Sequence, residues 1–200
     1  MSQCHDWPRM KMNECWNLDM IIDAFKKGDV HETIELHSLS NSTYLLWPKP
    51  KMEDFDFLKD ALNDLEVVEV LSIGAGSGLF EWALEKISGI PVLAVELDRI
   101  YWKNTPRPNF KAHIFADEEL LRCRLESGNA ALLFSYFNDY KHFLRYLSLF
   151  TGSVLILIGP ECHGRYSMPT PFDSNIPKEW KLWCSKEISS TKDFITVYTK

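Results

Sequence analysis

Hydrophobic positions along this chain recur at two periods, and the switches between them mark the elements. "NLDMIIDAFKKGD" (Asn17 to Asp29) repeats at the helical period, with Met20, Ile21, Ala24 and Phe25 on one face and Gly28 as a stop. "STYLLWPKPKMEDFDFLKDALNDL" gives an apolar stretch, a Trp-Pro-Lys-Pro break and a helix from about Met52 to Leu65. Val67 to Ile73 is a β-branched run closed by glycine, which predicts a buried strand. From Ser77 to Ser88 the helical period returns, with Leu79, Phe80, Ala83, Leu84 and Ile87 on one stripe and Glu81, Glu85 and Lys86 off it.

The alternation continues downstream. Strands are predicted at "PVLAVEL" (Pro91 to Leu97), "FKAHIFAD" (Phe110 to Asp117), "AALLFSYF" (Ala130 to Phe137) and "SVLILIG" (Ser153 to Gly159). A short helix runs through Leu125, and Asn138-Asp139 cap another whose inner face is Phe143, Leu144, Leu147 and Phe150. Apolar strands alternating with amphipathic helices predict a parallel sheet covered on both faces. After Gly159 a Pro-rich loop leads to two strands with no helix between them, "EWKLWCSKEI" and "DFITVYTK", an antiparallel hairpin. The expected architecture is one α/β domain over 17–200: a helical segment over 17–65, then a three-layer, mostly parallel seven-stranded sheet over 66–200 ending in that hairpin. The first sixteen residues, polar and Met-rich, are expected to be loose.

Composition narrows the function. Two hundred residues suit one domain, and 46% hydrophobic with 13% aromatic residues excludes overall disorder. A net charge of −6 argues against a surface built to neutralise phosphates. The five cysteines are odd in number and scattered, as in a reducing compartment. Cys4-His5 with Cys15 would be half of a zinc site, but no CxxC or HxxxH completes it. No stretch approaches the roughly 18 apolar residues of a membrane span. A cytoplasmic protein is expected, with the nucleus not excluded.

The chemistry concentrates at "IGAGSGLF". A strand feeding a Gly-rich turn and a helix puts bare N–H groups and a positive helix end at the carboxyl edge of a sheet, where α/β proteins bind ligands. The dinucleotide fingerprint asks for a third glycine where Leu79 stands, which disfavours an NAD-dependent oxidoreductase, and no Gly-Lys-Ser/Thr follows for a Walker loop. Glu96, ending the second strand, is placed to accept charge-assisted hydrogen bonds from ribose hydroxyls, with Asp98 as a rival.

Glycine turn, second-strand acid and terminal hairpin together resemble the class I S-adenosylmethionine-dependent methyltransferases, over about Val67 to Lys200. The resemblance implies that Gly74, Ala75, Gly76, Ser77 and Gly78 lie against the amino-acid end of the cofactor. It further implies that Glu96 holds the ribose, Leu97 lines the adenine, Asp117 meets the adenine amino group and Ser135 joins this set. A narrower resemblance adds "YLLWPKP", "LLFSYFNDY" and "VLILIGPECHGRYS", similar to a poorly characterised methyltransferase-like group with Trp-Pro-Pro after the fourth strand. Trp47-Pro48 and Glu161 match that group, and Trp47 is expected near the cofactor. Tyr136-Phe137-Asn138 stands in place of Trp-Pro-Pro, on the wall facing the methyl group.

No Asn/Asp-Pro-Pro-Tyr/Phe motif for a planar amine follows the fourth strand. Tyr136, Asn138, Asp139 and His163 are the substrate-side candidates. Helix capping by Asn138 or Asp139, packing of Tyr136 and an exposed His163 are the plainer alternatives. The expected function is methyl transfer from S-adenosylmethionine to an unidentified acceptor, a small molecule or protein rather than nucleic acid. The alternative is a non-catalytic member of the fold, a cofactor sensor or protein-interaction subunit. An exposed patch of Tyr136, Phe137 and the loop Pro169 to Phe172 would favour that alternative.

Overall fold

Residues 12–40, 45–104, 108–115, 119–161, 164–189 and 191–200 are described by the computed structural model. Three helices lead, α1 (Met12–Lys27), α2 (Val30–Leu39) and α3 (Met52–Asp64). The alternating part follows as β1 (Glu69–Ile73), α4 (Leu79–Ser88), β2 (Val92–Glu96), α5 (Arg99–Asn104), β3 (His113–Phe115), α6 (Glu119–Leu125), β4 (Ala130–Ser135), α7 (Tyr140–Leu149) and β5 (Val154–Pro160). The hairpin β6 (Lys181–Ile188) and β7 (Asp193–Thr199) closes the sheet.

The strands lie in the order β3-β2-β1-β4-β5-β7-β6. All neighbours from β3 to β5 pair in parallel, while β7 runs antiparallel to both β5 and β6. This is the expected seven-stranded α/β sheet with its antiparallel C-terminal pair. Period-two alternation sends successive side chains of one strand to opposite faces. Val70 thus packs with α1 to α4, whereas Leu71 and Ile73 pack with α6 and α7. Burial on both faces accounts for the near-continuous apolar runs, and every residue of β5 is buried.

Several boundaries differ from expectation. The first helix begins at Met12 rather than Asn17, and Met20 on its predicted inner face is exposed, as is Leu144 on α7. The helix α2 has no counterpart in the pattern reading, because its inward positions include the buried polar residues Thr33 and His37. Asp29 caps it, its carboxylate accepting the Glu32 N–H at 2.9 Å. Glu81, placed off the apolar stripe of its helix, is buried. Among the described residues no helix is long and apolar enough to cross a membrane.

Candidate active site at the carboxyl edge of the sheet

The chain order reverses between β1 and β4, so the crevice beyond their carboxyl ends lies at the topological switch point. The glycine turn between β1 and α4 occupies that edge. Gly74 and Ala75 donate their N–H groups to the Val95 carbonyl at 2.9 and 3.1 Å, which fastens the turn to β2. Ser77 is bound on two sides: its hydroxyl donates to the Leu45 carbonyl at 2.6 Å, and its carbonyl accepts the Phe110 N–H at 2.9 Å.

Two glycines are required here for different reasons. Gly76 has φ +63, and a methyl group on it would meet nothing within 4 Å, so its α-carbon faces open space. Gly78, at φ +75, caps α4, and a methyl group there would lie 2.9 Å from the Lys111 backbone nitrogen. Replacing Gly78 by alanine combines left-handed strain with a backbone collision. Gly78→Ala is expected to lose about 2 kcal/mol in urea unfolding; an unchanged midpoint would show that the 108–112 segment yields freely.

Glu96, at the end of β2, closes one side. It is 9% exposed, and its Oε1 accepts the Gly76 N–H at 2.5 Å while Oε2 accepts the Leu97 N–H at 3.3 Å. Burial pushes its pKa up, against the pull of hydrogen bonds from Gly76, the Trp102 side chain and Leu97. Leu97 is exposed beside it. Asp98 instead accepts the Tyr101 N–H at 2.8 Å, at the start of α5. Trp102 and His113, which the sequence reading did not single out, extend this wall with rings 5.0 Å apart. The imidazole Nε2 of His113 is buried without a hydrogen-bond partner among the described residues, and burial lowers its pKa. The only sequence signal for the pair was an aromatic ahead of the third strand and a histidine within it.

The opposite wall follows β4. Ser135 ends that strand, in register with Ile158. Tyr136 adopts φ +51, donates its N–H to the Ile158 carbonyl at 2.7 Å, and donates its hydroxyl to Asp193 Oδ1 at 2.6 Å. Arg165 Nη1 completes the group, donating to Asp193 Oδ2 at 2.8 Å and to the Tyr136 oxygen at 3.1 Å, while Nη2 donates to the Thr191 carbonyl. Burial, then the Asp193 carboxylate, raises the phenol pKa well above its ordinary value. Trp47 stacks on Tyr136 at 5.7 Å between centroids and is 59% exposed.

Phe137 is 8% exposed, lying against Gly74 and edge-on to Phe134 at 4.9 Å. The surface patch envisaged for Tyr136, Phe137 and the 169–172 loop is therefore not formed, since Phe137 faces inward. Asn138 is exposed. Asp139 is the N-cap of α7, accepting the His142 N–H at 3.0 Å and contacting His142 Nδ1 at 2.6 Å. The structure thus brings the residues from 74 to 78 together with Glu96, and sets Tyr136 and Phe137 on the facing wall. Asp117 and His163 lie outside the described residues.

This strand order, with a glycine turn after β1 and an acid ending β2, is the seven-stranded Rossmann-like fold of the S-adenosylmethionine-dependent methyltransferases. A proposed caffeoyl-CoA O-methyltransferase from Staphylococcus aureus aligns over 95% of this chain and 100% of its own, at 10% identity and a TM-score of 0.51. The O-methyltransferase TomG from Streptomyces achromogenes, in complex with SAM, covers 96% of this chain and 100% of its own at 12% identity and a TM-score of 0.48. The magnesium protoporphyrin IX methyltransferase of Synechocystis covers 74% and 78% at 13% identity and 0.43. No family model matches the sequence, and no curated protein matches it. At these identities the likeness is one of fold.

Proposed function

We propose that the chain is an S-adenosylmethionine-dependent methyltransferase whose cofactor lies along the turn from Gly74 to Gly78. The observation that carries this reading is the open space at Gly76 with the Glu96 carboxylate beside it. These residues suit the cofactor: bare glycine backbone at Gly76 for close approach of its amino-acid end, an acid for ribose hydroxyls, and exposed Leu97 for an adenine face. Bound there, S-adenosylmethionine supplies a methyl group on a cationic sulfur, open to in-line displacement.

The chain's own task is then to hold an acceptor and exclude water. Tyr136 is a poor base, because its hydroxyl is committed to Asp193 and its pKa is raised. Asn138, exposed next to it, is the freer group to orient an acceptor. Asp117 for the adenine amino group and His163 for a proton remain part of the proposal on the strength of sequence position. The net charge of −6 favours a small molecule or protein as acceptor over nucleic acid.

A second reading, a non-catalytic cofactor sensor or interaction subunit, draws on the same wall. Tyr136, Asp193 and Arg165 are bonded to one another, and Phe137 covers Gly74.

Calorimetric titration with S-adenosylmethionine and S-adenosylhomocysteine tests the proposal. Wild-type protein is expected to bind both in the micromolar range. Glu96→Ala is expected to weaken binding about ten- to a hundredfold through loss of one or two charged hydrogen bonds, and Glu96→Gln by less. A folded sample that binds neither ligand ends the cofactor reading. Binding without turnover of any acceptor would select the second reading.

A further inference from the structure

Behind the glycine turn lies an acid that the proposed ligand would not touch. Glu81 stands in the first turn of α4 and is 1% exposed. Ser72 on β1 is equally buried and donates its hydroxyl to Glu81 Oε1 at 2.6 Å. The second oxygen, Oε2, has no hydrogen-bond partner among the described residues. One of these residues lies just before Gly74 and the other just after Gly78, so their bond spans the base of the turn.

The charged groups acting on Glu81 are Glu96, at the end of β2, and Lys111, ahead of β3. Lys111 is already paired with Glu85 on α4 at 2.8 Å. An ionised Glu81 would therefore be a buried carboxylate supported only by Ser72 and its own backbone N–H among the described residues, facing a like charge across the turn. Such a group is strongly disfavoured unless the structure opens to hydrate it.

We infer that Glu81 is a positioning residue: its uncharged carboxyl, bonded to Ser72, ties β1 to α4 and holds the glycine turn in its ligand-binding shape, and ionisation loosens that turn. Glu81 acts through Gly76 and Glu96. The ligand half of the inference rests on the proposed cofactor reading; the structural half does not. Burial brings the Glu81 pKa up to about 7, which puts the change within the range of cellular pH.

The test compares wild type, Glu81→Gln and Ser72→Ala in two measurements. The first is the affinity for S-adenosylhomocysteine by calorimetry from pH 6 to 8. The second, on ligand-free protein, is hydrogen exchange at the Ala75 and Gly76 amides, corrected for the intrinsic pH dependence of exchange. Glutamine keeps an acceptor for Ser72 and cannot ionise. Wild-type affinity is expected to fall about three- to tenfold across the range, with turn exchange accelerating in step, and both are expected to be flat in Glu81→Gln. Ser72→Ala is expected to speed exchange at every pH. Glu96 still titrates in Glu81→Gln, shifted only by the loss of its coupling to Glu81, so a pH dependence that came from Glu96 alone would persist in both proteins. Identical pH profiles for those two proteins, in either measurement, overturn the inference. If a folded wild type binds no S-adenosylhomocysteine, the cofactor reading falls and the exchange profiles alone decide the role of Glu81.

Discussion

Arg165→Ala is expected to remove about 3 kcal/mol of folding stability at neutral pH, read as a lower urea midpoint at unchanged slope. The size follows from what would be left behind. Asp193 is 1% exposed, and its Oδ2 accepts from the guanidinium at 2.8 Å. Without Arg165 a buried carboxylate keeps, among the described residues, only the hydroxyls of Tyr136, at 2.6 Å, and Thr191, at 3.3 Å. Arg165 is partly exposed while Asp193 is buried, so removing Arg165 alone is costlier than removing both, because the buried survivor is stranded. The double variant Arg165→Ala/Asp193→Asn is therefore expected to regain more than half of the loss. A single-variant effect below about 0.5 kcal/mol would reduce the pair to the weight of a surface ion pair.

The second large effect concerns pH. Burial raises the Glu81 pKa from 4.5 to about 7. Between those values the folded protein holds a proton that the unfolded chain has lost, so this group's contribution is full below about pH 4.5 and lost as pH rises through 7. The stability difference between Glu81→Gln and wild type should accordingly swing by about 3 kcal/mol in the variant's favour from pH 4.5 to 8. Wild type alone would conceal it. His37, buried and neutral with its pKa lowered to about 3, gains stability as pH climbs from 3 to 6.5 and overlaps the Glu81 window. Urea unfolding of both proteins at four pH values settles the matter; a constant difference would show that Glu81 is hydrated.

The central sheet was legible in sequence because β1, β2, β4 and β5 are apolar on both faces and punctuated by Gly, Pro and Asn-Asp. The reading failed where polar residues point inward. Thr33 and His37 obscured the inner face of α2, and Glu81 passed for a solvated charge on α4. Within the site, the glycine turn and Glu96 could be found from spacing, since both sit at strand ends that the pattern defines. The Tyr136–Arg165–Asp193 group could not. Its members come from three loops and strand ends that only the insertion of β7 beside β5 brings together. Phe137 is a related case: next to Tyr136 in sequence, it turns inward because Tyr136 takes a left-handed backbone.

The position of β7 has a consequence for the newly made chain. Residues 193–199 are synthesised after β6 yet sit inside it, pairing along all of β5. Until they leave the ribosome, β5 presents a seven-residue apolar edge whose N–H and C=O groups lack their final partner. Such an edge invites pairing with other chains during translation. The step that completes this fold is the docking of the β6–β7 hairpin, through its inner strand, onto the open edge of β5, and the yield of soluble protein should respond to changes in residues 193–199 more sharply than to changes in β6 at the rim.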